Sequence, residues 1–84
     1  MIAMMYSVKD ELTGKFHNPM FLPNSDVVED EIKRLFRTQV NNTTLWKENP
    51  EDFSLWCLGS FDDTTGVHTS EATKICDGRS VLNG

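Results

Sequence analysis

Apolar and polar side chains alternate over residues 4–8, with Met4, Tyr6 and Val8 on one side and Met5, Ser7 and Lys9 on the other. A period of two predicts a β-strand. The run "DELTGK" breaks the pattern at Thr13-Gly14 and reads as a turn or loop. Next comes "FHNPMFLP", which is extended in character but interrupted by Pro19 and closed by Pro23. Proline has no N–H to donate to a ladder, so this segment is expected to be an edge strand or an irregular strap.

The period then changes. In "NSDVVEDEIKRLFRTQVNN", Val28, Ile32, Leu35 and Phe36 recur at helical spacing, and Gln39 and Val40 continue the stripe. Asn24, Ser25 and Asp26 precede it as capping types, and Asp26 with Glu29 approximates a capping box. Acidic residues fill the first half and Lys33, Arg34 and Arg37 the second, an order that suits the helix dipole. Glu29–Lys33 and Asp30–Arg34 are i,i+4 pairs, each contributing about 0.2–0.5 kcal/mol. Asn41-Asn42 ends the helix, and the polar "NNTT" is a loop.

"NPED" is a turn, because Pro50 disfavours helix at Asn49 and presets a turn angle. Beyond it Phe53, Leu55, Cys57, Gly59 and Phe61 alternate with Ser54, Trp56, Leu58 and Ser60. Both faces carry apolar residues, as in a strand covered on two sides. Gly59 marks a bulge or a close approach. "DDTTG" supplies hairpin-turn residues, residues 67–75 form a weaker strand, and "CDGRSVLNG" reads as a turn and a short tail. These elements predict a small α+β domain: a mostly antiparallel sheet with one amphipathic helix packed on one face.

Eighty-four residues make one domain, 1–84, with residues 67–84 expected to be its less ordered part. Thirteen acidic against eight basic residues give a net charge of −5, which disfavours a protein that simply coats a phosphate backbone. Neither a secretory leader nor a membrane-spanning run is apparent, so Cys57 and Cys76 read by default as reduced thiols, a single disulfide being left open. The sequons at Asn41 and Asn42 then signify only a polar loop.

Candidate chemistry is sparse. Asp62 and Asp63 could ligate a cation, but "DDTTGVHTSEAT" lacks the alternating acids of a calcium loop, and turn chemistry explains them better. His17 and His68 have no telling nucleophile spacing, and phosphate-loop, dinucleotide and zinc-protease motifs are missing. No enzyme activity, cofactor or metal is expected. The aromatics carry more. Trp46 beside Lys47, and Trp56 on the second face of its strand, could stack bases, and Lys33, Arg34 and Arg37 could form a basic strip for phosphate. The competing assignment makes Phe36, Phe53 and Phe61 core and the strip a solvated helix end. One helix covers one sheet face only, so a homodimer is expected, with Trp56 and Leu58 at its surface.

"PEDFSLWCLGSFDDTTG", with "MYSVKD" near the start and "PMFLP" before the helix, resembles the small non-structural protein family of gokushoviruses, microvirus-family phages with single-stranded circular DNA. The likeness covers roughly residues 4–66, and the tail fits less well. It implies a DNA-binding protein of the bacterial host cytoplasm, associated with single-stranded phage genome replication, and carries no catalytic residues. The partner is then single-stranded DNA, met through Lys33, Arg34, Arg37, Trp46 and Lys47. The acidic balance supports an alternative: an adaptor that presents Glu29, Asp30, Glu31, Glu51 and Asp52 to the phage initiator or a host replication factor, without DNA affinity.

Overall fold

A computed structural model describes residues 1–83; Gly84, the end of the predicted tail, lies outside the described residues. The strands are β1 (Ile2–Asp10), β2 (Lys15–Phe16), β3 (Met20–Pro23), β4 (Phe53–Asp62) and β5 (His68–Asp77). The helices are α1 (Val28–Asn42), α2 (Thr44–Glu48) and α3 (Gly78–Asn83), with a 3-10 turn at Pro50–Asp52. The fold is α+β, as its alternating and helical periods predict.

All strand pairings are antiparallel, in the order β2-β1-β4-β5, and β3 shares with β2 the outer edge of β1. The proline-bearing strap thus supplies two short edge strands. Neither Pro19 nor Pro23 has to donate to an inner ladder.

The core lies between one sheet face and α1. Val28, Ile32, Phe36 and Val40 stand four residues apart on α1 and meet Tyr6 and Val8 of β1 and Phe53, Leu55 and Cys57 of β4. Ile32, Phe36, Val40 and Leu55 are fully buried. Gln39, expected in the stripe, is exposed, while Leu35 packs at the core's margin.

Two local expectations are corrected. The capping box does not form: α1 begins after Val27 without a side-chain cap, and Glu29 instead pairs with Lys33 at 3.2 Å. The last residues are not a simple tail. Asp77 accepts the Ser80 N–H at 2.7 Å and starts α3, which inserts Val81 into the core. In addition, "TLWKE" of the polar connection winds into α2.

β4 contains the bulge that Gly59 signals. Met5 lies opposite Gly59 and Tyr6 opposite Cys57, so Leu58 has no partner on β1. Gly59 has φ +134°, and a Cβ there would lie 2.0 Å from the Thr69 carbonyl oxygen. The extra residue reverses the alternation. Cys57 faces the helix, whereas Phe61, opposite Ala3, stands on the other face and is 37% exposed. Phe61 is therefore not core, unlike Phe36 and Phe53.

Candidate nucleic-acid interface

Among the described residues no helix covers the second sheet face. It carries Ala3, Met5, Ser7 and Lys9 from β1, and the register sets Phe16, Phe21, Trp56, Phe61, His68 and Lys74 on the same side. Alternation along each strand places them there. At one end Phe16 meets Trp56 edge to face, with ring centres 5.8 Å apart. Lys9 Nζ lies 5.0 Å from the Trp56 ring centre and 5.6 Å from that of Phe16. The indole is anchored from below. Its N–H donates to Ser54 Oγ at 2.8 Å, and the Ser54 hydroxyl donates to the Glu11 carboxylate. Ser54 is fully buried, and the Glu11 N–H is held by the Asp52 carbonyl at 2.8 Å. The result is a fixed aromatic pair with a cation above it, a geometry suited to a flat, electron-rich ring near a phosphate.

The other end of this face is a cup of about 530 Å³ lined by Ala3, Met5, Phe21, Phe61, Asp63 and His68. Phe21 stands opposite Met5 on β3, and Phe61 opposite Ala3 on β4, so the two rings flank the β1 floor diagonally. Hydrogen bonding from the Met1 amino group holds the Asp63 carboxyl below its ordinary range. Asp62 serves the hairpin: its Oδ1 accepts the Thr64 N–H at 2.9 Å, and its carbonyl accepts the Gly66 N–H at 2.8 Å.

The five residues expected to bind nucleic acid lie on the helical side; three of them line two separate clefts, and Arg34 and Lys47 line neither. Lys33 and Arg37 line one of about 440 Å³ with Ile75, Cys76, Ser80 and Val81. Lys33 is paired with Glu29, and Arg37 Nε–H donates to the Val81 carbonyl at 3.0 Å, tying α1 to the end of α3. Arg34 is exposed on α1 and Lys47 on α2. Trp46 belongs to a second cleft, with Ser7, His17 and Met20 among its lining residues. Its ring stacks on Phe53 at 4.8 Å and meets His17 at 5.2 Å, so the indole forms part of the core's wall. Of the pair expected at a dimer surface, Trp56 is in the aromatic group on the open face and Leu58 is the unpaired bulge residue; both are half-buried.

Cys57 and Cys76 are free, and burial pushes both thiols up in pKa, away from the reactive thiolate. Among the described residues there is no group of three or more His, Cys, Asp or Glu side chains able to hold a metal, and no helix long and apolar enough to cross a membrane.

Sequence reasoning passed over Lys9, Phe16 and Phe21 and weighed Phe61 as core. The apolar residues on both faces of β4 were the available signal. For the two strap phenylalanines the signal was their place beside Pro19, on a segment confined to an edge.

Fold and surface together define a small one-helix-layer α+β domain with an uncovered aromatic sheet face. A family model described as Phage ORF5 protein matches residues 3–81, and the chain belongs to that phage family. No curated protein and no solved structure matches it.

Proposed function

We propose that this protein is a non-catalytic, non-structural phage protein that binds single-stranded DNA during genome replication in the host cytoplasm, and that the open sheet face is its platform. The observation that carries the reading is the Lys9–Phe16–Trp56 group. Sequence-tolerant binding of single strands needs exposed rings for stacking and nearby cations for phosphate. This group supplies both, on strands rather than on a loop, with the indole already oriented by Ser54 and Glu11. Membership of a phage family agrees with such a role. On the helical side, Trp46 is engaged with Phe53 and His17, leaving Arg34 and Lys47 as the exposed cations of the predicted set.

The test is fluorescence anisotropy of a labelled single-stranded oligonucleotide at low and at physiological salt. Binding is expected, weakened by Phe16→Ala and by Lys9→Glu and little changed by Arg34→Glu. Loss of binding in Arg34→Glu alone would move the footprint to the helices. Absence of binding even at low salt would refute the reading.

The adaptor function has its own support. Glu29, Asp30 and Glu31 are exposed in the first turn of α1, an acidic end suited to a basic protein partner. That reading predicts no oligonucleotide binding and co-purification with the phage initiator or a host replication factor.

A further inference from the structure

We infer that the cup between Phe21 and Phe61 receives a nucleobase of the bound single strand, as a second stacking station on the same face. The inference rests on the DNA-binding reading above and adds a site to it. Its volume, about 530 Å³, falls within the roughly 300–1,000 Å³ of small-molecule sites and suits a nucleoside-sized occupant. The walls fix its shape. β3 and β4 flank β1, so their Cα atoms are about 10 Å apart across the strands, and the two-residue offset of Phe21 and Phe61 stretches this to about 12 Å. Between the rings there is room for one flat ring system over the Ala3 and Met5 floor. An α-helix, about 10–12 Å wide with its side chains, does not fit once the phenyl rings occupy part of that gap.

Continuity favours a base over another flat group. Met5 and Lys9 are four residues apart on β1, about 13 Å, so a strand engaged at Trp56 and running along β1 passes over the cup. The cup's lining is chemically suited to that ring. Phe21, Phe61 and Met5 offer apolar and π surface, and the accessible lining is apolar throughout, with Asp63 and His68 at its margin. Phe21 is 53% and Phe61 37% exposed, so both rings are accessible without opening the fold.

The experiment combines anisotropy with NMR of protein labelled at its methionine methyl groups, titrated with a short mixed-sequence single-stranded oligonucleotide. Phe21→Ala and Phe61→Ala should each weaken binding about 5- to 150-fold, the range for losing one base stack. The Met5 methyl should shift on titration, and both variants should keep the parent's melting temperature within a few degrees. If the parent binds while both variants keep full affinity and the Met5 signal stays still, the cup is overturned and the DNA reading stands. If the parent binds no oligonucleotide at low salt, both fall. If the variants keep DNA affinity but lose self-association in sedimentation, the cup belongs to a second copy of the chain, and the inference is overturned.

Discussion

Gly59→Ala should be among the most damaging single-methyl additions to this protein. Two costs coincide there. A φ of +134° lies where a side chain is strained, a penalty of about 1–3 kcal/mol. The new Cβ would also sit 2.0 Å from the Thr69 carbonyl oxygen, a backbone atom of β5 that cannot rotate away. Relief requires β5 to retreat by more than 1 Å, which breaks ladder hydrogen bonds near the bulge at about 1 kcal/mol each. The total is about 3–5 kcal/mol. An 84-residue domain has about 4–13 kcal/mol in all. At about 4–8 °C per kcal/mol for a domain of this size, melting should fall by about 12–40 °C. Gly14→Ala is the control. Gly14 has φ +74° but open space around it, so only the backbone term applies, about 1–2 kcal/mol. Urea unfolding followed by tryptophan fluorescence separates the two. Equal midpoints for Gly59→Ala and Gly14→Ala would refute the close approach of β5, and with it the bulge that turns Phe61 outward.

Trp46→Ala should destabilise the fold by about 2–4 kcal/mol, because it removes a ring stacked on Phe53 and seated beside His17. An unchanged urea midpoint with lost oligonucleotide affinity would instead make Trp46 a free stacking residue. Acid titration should expose the contact between the 3-10 turn and α3. Glu51 is held below its ordinary 4.5 first by its own backbone N–H and then by Arg79, whose Nη2 lies 2.8 Å away. A depressed carboxyl stabilises the folded chain above its unfolded pKa, and that contribution disappears as pH falls through the folded value. The parent and Glu51→Gln should therefore differ most near neutrality and converge in strong acid; a gap that widens on acidification would contradict the assigned partners.

Much of this fold is legible in the chain because periods of two and of four survive without tertiary help. The stripe from Val28 to Val40 predicts α1 and its buried face, and Asn41-Asn42 marks its end. Capping was less legible, since Ser25, Asp26 and Glu29 offer several starts and the ion pair to Lys33 takes the Glu29 side chain. α3 was missed because six residues are too few to display a period. Its signal was Asp77 followed three positions later by Ser80, and the burial of Val81 that fixes it is a long-range contact. At Gly59 the sequence announces a bulge but not its consequence. One unpaired residue, Leu58, exchanges the faces of everything after it, so simple alternation assigns Phe61 to the wrong side. The candidate site was less legible still. Whether a phenylalanine is core or platform depends on which sheet face the helix covers, and that choice is made between elements, not within them.

If the proposed single-strand binding holds, location bears on the conflict between an acidic chain and a polyanionic ligand. A net charge of −5 opposes approach at long range. The open face carries a local mixture: its register places Lys9 and Lys74 there beside Phe16 and Trp56, with the carboxylates of Glu11 and Asp63 at its two ends, while Glu29, Asp30 and Glu31 ride on α1 against the opposite face. Affinity on such a surface comes mainly from stacking, which salt does not screen, with the two lysines adding a small electrostatic part. For single strands each neutralised phosphate contributes about 0.7 to the slope of log K against log salt, so two contacts predict a slope of about −1.4. A slope several times steeper would mean that cations beyond this face, Arg34 and Lys47 among them, reach the backbone. The platform would then extend around the edge of the sheet onto the helices.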